Sequence, residues 1–187
     1  RYASAMTPAP APAPAQRAAE ARAANSAGMA ALSRGDFQTA AGHFDQAVVA
    51  DPSAPELWRN LAHARRELNE DEAERAALEG ALSADRTDFM AWLRKGQLHQ
   101  RLGEERDAMI AWNGVLQMAG AIQPMPDALA AILAEARRYC EELRDRMRER
   151  IDRDLGKDLA ALPATAARRV SAFIDHATTG RTIYRND

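Results

Sequence analysis

Several residue types are scarce in this chain of 187 residues. The only cysteine is Cys140, so a disulfide within the chain is impossible and a disulfide-stapled scaffold is excluded. Aromatic residues make up 5% of the sequence, and the formal net charge is −2. A nearly neutral chain with no aromatic residues interleaved among its arginines lacks the features that attract nucleic acid or anionic membranes. We therefore expect neither as a partner.

Long apolar runs are missing as well. The longest stretch without a charged residue extends from Ala108 to Pro126, and it contains Asn113, Gln117 and Pro124. A membrane-spanning helix needs about 20 predominantly apolar residues, so this stretch does not predict one. No apolar segment follows a basic start, as it would in a secretory signal peptide. The single cysteine, with no disulfide possible, makes a reducing cytoplasm the expected location.

A repeated spacing is the strongest pattern present. Ala24, Trp58 and Trp92 follow one another at a step of 34 residues, the length of a two-helix repeat. Such a unit cannot bury its apolar face alone and therefore stacks on its neighbours. Apolar residues within each unit recur at steps of three and four, as in a helix. Four further sets of equivalent positions are separated by the same 34 residues, namely Gly28, Ala62 and Gly96; Gly35, Asn69 and Gly103; Phe44, Leu78 and Trp112; and Ala47, Ala81 and Val115.

The pattern predicts an all-α fold, a solenoid of three helix hairpins followed by a long capping helix and a short C-terminal helix. Thr87 is the expected N-cap of the third hairpin, and Gly156 is expected to end the long helix. The expected parts are an alanine- and proline-rich tail (1–15), three repeats within 16–120 (about 20–53, 54–86 and 87–120), a linker with the long capping helix (121–155), and the C-terminal helix with its tail (156–187).

The three units resemble tetratricopeptide repeats (TPRs), in which helix hairpins carry small, aromatic and turn residues at set positions. The resemblance covers about residues 20–120 and implies a module that binds proteins or peptides. Four positions depart from the family's pattern: Ala24 replaces the opening tryptophan, Glu74 an alanine, Arg86 a proline and Lys95 a leucine. The matching residues include Gly28, Gly35, Ala40, Phe44, Trp58, Leu61, Ala62, Leu78, Trp92, Gly96, Gly103, Ala108 and Trp112.

A second resemblance concerns the layout of the whole chain. A repeat region, a long helix and a short helix that ends in the segment 174–184 are similar to the N-terminal half of some bacterial 2-oxoglutarate-dependent aspartyl/asparaginyl β-hydroxylase proteins. In those proteins a helical repeat region precedes an iron-binding jelly-roll domain. The resemblance implies that a catalytic domain would lie C-terminal to Asp187 and that this chain would recruit its substrate or partner.

The sequence offers no pattern for catalysis or for metal or cofactor binding. The one His-x-Asp motif, His43 to Asp45, lies in a predicted helix, where residues two positions apart point about 200° apart. The other histidines share no ligand spacing with another histidine or cysteine, and Cys140 is expected to be a buried helix residue. We therefore expect that this chain is not an enzyme and needs no cofactor.

In TPR domains the first helices of the repeats line a concave groove that holds peptides. Arginine dominates the corresponding positions here, and Glu56 and Glu67 are the nearest acids in sequence. This predicts a basic groove that binds an acidic segment or a free carboxylate, although ordinary solvated arginines would give the same pattern. The predicted groove residues are Arg22, Asn25, Met29, Arg59, Asn60, His63, Arg66, Arg94, Gln97 and Arg101.

Some TPR domains clamp the C-terminal carboxylate of a peptide with lysine, asparagine and arginine at set groove positions. Asn60 and Arg94 match two of these positions, whereas Asn25, Met29 and Met90 depart from the other three. The resemblance to the clamp is therefore partial.

A structural protein is the alternative hypothesis. The long helix over 127–155 narrows to an apolar stripe that includes Leu143, Met147 and Ile151, flanked by charges of both signs. A stripe of this kind could pair two helices in a homodimer, or it could be one side of a solvated helix.

Overall fold

The computed structural model describes residues 13–122 and 124–160, together with a few isolated positions between 163 and 172. Within the described part of the chain the secondary structure is helical and no strand is present. The helices are α1 (Pro14–Ser33), α2 (Phe37–Ala50), α3 (Pro55–Glu67), α4 (Asp71–Ala84), α5 (Phe89–Leu102), α6 (Glu105–Ala119) and α7 (Asp127–Ala160).

The chain divides into two compact units, Arg1–Ala111 and Trp112–Asp187. In the first unit, α1 packs on α2, α2 on α3, α3 on α4 and α4 on α5. Phe44 and Leu78 from the second helices of two hairpins are fully buried in its core, together with Leu98 of α5. Stacked antiparallel helices with this shared interior confirm the predicted all-α hairpin solenoid.

The turn inside each hairpin explains why one set of equivalent positions holds glycine or asparagine. Gly35, Asn69 and Gly103 have φ angles of 75°, 58° and 71°, in the left-handed region that ends a helix. Glycine reaches that region without steric cost, and asparagine is among the few other residues that tolerate it. The period in the sequence therefore marks the positions where the chain must reverse.

The N-terminus of α5 corrects one expectation. Asp88, not Thr87, is its N-cap, because the carboxylate Oδ1 of Asp88 accepts a hydrogen bond from the backbone N–H of Ala91 at 3.0 Å. The hydroxyl of Thr87 instead donates to Asp85 at 2.7 Å, which closes the turn before the helix.

Two glycines allow close contact between the helices of a hairpin. A Cβ atom on Gly28 of α1 would lie 2.6 Å from the ring of Phe44, which leaves no room for it. A Cβ atom on Gly80 of α4 would lie 2.5 Å from the ring of Trp58. The cost of glycine inside a helix, about 1 kcal/mol relative to alanine, is offset here by tighter packing of an aromatic ring.

In the second unit, α7 places Leu133, Ala136, Cys140 and Leu143 at buried positions three or four residues apart. Burial raises the pKa of the Cys140 thiol, so the protonated and unreactive form is favoured, as expected for a structural cysteine.

Two predicted boundaries are wrong. Helix α7 continues through Gly156 to Ala160, since one glycine lowers the stability of a helix by about 1 kcal/mol and does not forbid it. The N-terminal tail ends earlier than expected because α1 begins at Pro14, and proline is well suited to a first helical turn.

Most of the predicted C-terminal helix lies outside the described residues. No helix of the described residues is long and apolar enough to cross a membrane.

Candidate functional site

Side chains of α1, α3 and α5 form one connected surface, which we call the groove surface. The amide Nδ2 of Asn60 donates to Oδ1 of Asn25 at 2.9 Å and so joins α3 to α1. The guanidinium of Arg94 donates to the backbone carbonyl of Arg59 at 2.7 Å and joins α5 to α3. We define the groove surface as these residues and their neighbours on the same helix faces, namely Arg22, Met29, His63, Arg66 and Gln97.

The helical period explains why these residues share a surface. On α3, Asn60, His63 and Arg66 follow at steps of three, and on α5 Arg94 is three residues before Gln97. Such residues are neighbours on one face of a helix. A long contact of 3.5 Å from Arg66 to Oε1 of Gln97 gives a further link between the two helices.

The electrostatics of the groove surface centre on Arg94. Burial lowers the pKa of its guanidinium, and the positive charges of Arg59 and Arg66 lower it further, against the opposing effect of Glu74 and Asp88. Its hydrogen bond goes to a carbonyl, and it makes no ion pair among the residues that the structure describes. Repulsion between neighbouring cations of this kind is relieved when an anion binds among them.

The pKa of His63 is also lowered by burial and by the positive charge of a neighbouring arginine. Burial lowers its pKa below the ordinary value of 6.5, and the charge of Arg94 lowers it further, against the opposing effect of Glu67. The neutral imidazole is therefore the main form near pH 7, and its Nε2 lies 3.7 Å from the Glu67 carboxylate.

Two arginines of the predicted basic groove are already neutralised, by acids other than the two that are nearest in sequence, Glu56 and Glu67. Arg59 pairs with Asp88 at 2.9 Å, and the side chain of Asp88 is 4% exposed. Arg101 donates to Asp71 at 2.7 Å and to the buried Glu74 at 2.6 Å, both on α4. These two arginines hold the hairpins together. Lys95, which stands where the TPR pattern has a leucine, places its Nζ atom 5.8 Å from the centre of the Trp92 ring.

A second charged cluster was not predicted from the sequence. His99, Glu104 and Asp107 bring ligand-type atoms within 4.8 Å of one another. Arg75 donates two hydrogen bonds to Glu104, at 3.0 and 2.7 Å, and together with His99 it lowers the pKa of Glu104 to about 2. The guanidinium already supplies the positive charge that these acids require, so the cluster is read as a link between α4 and α5.

The His-x-Asp motif does not form a site. Asp45 pairs with Arg65 of α3 at 2.5 Å, and Arg65 also pairs with Glu70 at 2.6 Å. His43 instead lines a hollow between α1 and α2. Phe44 between them is fully buried, and the helix therefore directs its two neighbours to different surroundings.

No model of a known protein family matches the sequence, and no curated protein matches it. Solved structures of TPR domains do resemble its fold. The Sgt2 TPR domain from Aspergillus fumigatus is 25% identical, with a TM-score of 0.56 over 66% of this chain and 80% of its own. The first TPR of Spaghetti (RPAP3), bound to the HSP90 peptide SRMEEVD, is 20% identical, with a TM-score of 0.56 over 65% and 95%.

PcrH in complex with the chaperone binding region of PopD is also similar, with 18% identity and a TM-score of 0.57 over 67% of this chain and 91% of its own. These likenesses show that the chain has the fold of TPR domains. The expected fold class is therefore confirmed by comparison as well as by the arrangement of the helices.

Proposed function

We propose that this chain is a protein-interaction module whose groove surface binds an acidic peptide segment. The observation that carries the proposal is the environment of Arg94, a half-buried guanidinium that hydrogen-bonds a backbone carbonyl and makes no ion pair of its own among the described residues. Its pKa is lowered by burial and by Arg59 and Arg66, and the charges of Glu74 and Asp88 only partly oppose this. A carboxylate is the group that best matches a guanidinium, because it accepts two parallel hydrogen bonds from it.

Two observations support a peptide as the source of that carboxylate. Met29 on α1 is 46% exposed beside the polar residues of the groove surface, so an apolar side chain of a ligand could pack there. A neighbour in fold, the first TPR of Spaghetti (RPAP3), is bound to the peptide SRMEEVD, which contains three acidic residues and a methionine. Arg94 and Arg66 would bind an acid, Asn60 and Gln97 would bind the peptide backbone, and Met29 would contact an apolar residue.

The test is a titration of the full 187-residue chain with a labelled SRMEEVD peptide and with a neutral version in which each acid is replaced by its amide. We expect the acidic peptide to bind and the variant Arg94→Gln to bind it about 10- to 100-fold more weakly, the loss of one charge-assisted hydrogen bond. Arg106→Gln is the matched control, since Arg106 is exposed on α6 and lies outside the groove surface.

A version of the peptide with an amidated C-terminus separates two modes of binding. If the side-chain acids provide the contact, amidation changes the affinity little, whereas a clamp for the terminal carboxylate would lose most of it. Equal affinity for the acidic and neutral peptides, or an Arg94→Gln variant that binds as well as the Arg106→Gln control, would refute the proposal.

A finer proposal places this module in a larger aspartyl/asparaginyl β-hydroxylase-like protein as the part that recruits a substrate. It rests on sequence layout alone, and the segment 174–184 that suggests it lies outside the described residues. The reading frame downstream of Asp187 tests the hydroxylase proposal, because a jelly-roll sequence with paired histidines is required there.

A cytoplasmic location likewise stays a proposal, and it rests on the free, buried Cys140.

Dimerisation through the long helix is the alternative proposal. Met147 and Ile151 of α7 are only half buried, and they continue the apolar stripe beyond Leu143. A second copy of the helix could cover them. Light scattering across a wide range of protein concentration tests this, and a monomeric mass throughout would exclude the dimer.

A further inference from the structure

Two exposed methionines lie on the first helices of the repeats. Met29 of α1 is 46% exposed, and Met90 of α5 is 43% exposed. Val49 and Ile110, large apolar residues that are also exposed, lie instead on the second helices α2 and α6. Methionine is unbranched and polarizable, so it adapts to apolar partners of different shapes. What the two methionines can contact depends on where they lie relative to Arg94.

Three sets of equivalent positions cross α1, α3 and α5, four and then three residues apart along each helix. They are Arg22, Glu56 and Met90; Ser26, Asn60 and Arg94; and Met29, His63 and Gln97. Residues at these steps are neighbours on one face of a helix. Met90 and Met29 therefore lie on opposite sides of the set that contains Arg94, in the third and the first repeat.

Hydrogen bonds hold the middle set in place across the three helices. Arg94 donates to the backbone carbonyl of Arg59 on α3 at 2.7 Å, and Asn60 donates to Asn25 on α1 at 2.9 Å. A ligand acid that reaches Arg94 therefore lies between the two positions that carry the exposed methionines.

The separation of Met90 and Arg94 along α5 matches the spacing of an extended peptide. The two residues are one helical turn apart, about 6 Å at 1.5 Å per residue. In an extended chain, alternate residues are about 6.6 Å apart and their side chains point to the same side. A peptide that directs an acid at Arg94 therefore directs the residues two positions before and after that acid at the same surface.

We propose that the groove surface, together with Met90, selects an internal acidic residue that has an apolar residue two positions away on each side. Met90 contacts one of these apolar residues and Met29 the other, while Arg94 binds the acid between them. This inference rests on the proposed function, because it specifies which acidic segments the groove surface binds. A neutral segment has no partner for Arg94, and a wholly polar acidic segment leaves both methionines uncovered.

The probe is the blocked peptide acetyl-Ser-Leu-Ser-Glu-Ser-Leu-Ser-amide, which has no terminal charge and has the same pattern in both chain directions. It is titrated into the isotope-labelled 187-residue chain while backbone amide shifts are followed. We expect replacement of either leucine by serine to weaken binding about fivefold, since part of each leucine side chain is buried against a methionine. Replacement of the glutamate by glutamine should weaken binding about tenfold.

The variants Met29→Gln and Met90→Gln identify which methionine contacts which leucine. Glutamine has a similar length and helix preference, so both variants should fold. In each variant one of the two serine replacements should lose its effect, and the leucine concerned should differ between the variants. Ile110→Gln is the matched control, because Ile110 is 51% exposed on α6 and lies outside the groove surface, and it should leave every affinity unchanged.

Failure of this inference can be told from failure of the proposed function. If the glutamate peptide binds no better than its glutamine version, both are overturned. If that preference remains but the serine replacements change nothing, or keep their full effect in both methionine variants, only the apolar selectivity is overturned. A chain that dimerises and keeps the peptide from both methionines would also overturn it, because a second copy would then cover them.

Discussion

Replacement of Gly28 by alanine tests whether close helix contact is what selects that glycine. The added Cβ atom would lie 2.6 Å from Cε1 and 2.7 Å from Cδ1 of Phe44, closer than real Cβ contacts. Phe44 is 0% exposed, so its ring has no free space to enter. The helices must therefore shift or the ring must leave its preferred rotamer.

The magnitude follows from two opposing terms. Overpacking of a core costs about 1–3 kcal/mol, whereas alanine in place of glycine inside a helix contributes about 1 kcal/mol of stability. Gly42→Ala is the matched control, because Gly42 lies in α2 and nothing comes within 4 Å of a Cβ atom built there. The difference in free energy of unfolding between the two variants cancels the helix term and isolates the clash, at about 1–3 kcal/mol.

Thermal and urea unfolding followed by circular dichroism measure both variants. A change of 1 kcal/mol shifts the Tm by about 2–4 °C in a protein of this size, so Gly42→Ala should unfold roughly 2–12 °C above Gly28→Ala. If the two variants are equally stable, contact with Phe44 is not the reason for glycine at position 28, and our account of the hairpin packing is wrong.

The remaining predictions concern the ion pairs and the pH dependence. Glu74→Gln should lower the free energy of unfolding by about 1–3 kcal/mol, because Glu74 is 2% exposed and Arg101 loses its buried partner; urea unfolding measures this. The pKa of Glu104 is lowered from 4.5 to about 2, so its contribution is complete above pH 4.5 and disappears as the pH falls toward 2. Glu104→Gln should therefore cost only about 1 kcal/mol at pH 7, since exposure screens the pair, and should lose less further stability than the wild type in acid. The pKa of His63 is lowered from 6.5, so protonation opposes folding, and His63→Gln should be less destabilised than the wild type as the pH falls below 6.5; Tm values across pH 5–8 check this.

Much of the fold could be predicted because its rules are local. The left-handed turns at Gly35, Asn69 and Gly103 recur at one period, and each is a place where few residue types are tolerated. The end of α7 could not be predicted in the same way. Gly156 was expected to stop the helix, but a single glycine is a weak signal that favourable neighbours can outweigh.

The candidate site was only partly predictable. The helical period places Asn25 and Asn60 on one surface, and the structure shows a hydrogen bond between their side chains. It does not show that Arg59 is paired with Asp88, because that acid comes from the loop before another helix and reaches back to α3. The hollow between α1 and α2 was not predicted from the sequence, because it depends on how the two helices pack.

The sequence by itself determined that the chain forms helix hairpins, that each repeat is 34 residues long, and where each hairpin turns. These features depend on residues that are close along the chain. Tertiary structure alone decided which arginines of the predicted groove are paired with acids. Arg101 lies on the same helix as Arg94, yet it forms ion pairs with Asp71 and Glu74, whereas Arg94 donates to the backbone carbonyl of Arg59. That difference arises from contacts between helices about one repeat apart, where the direction of a long side chain depends on packing that no pattern in the sequence records.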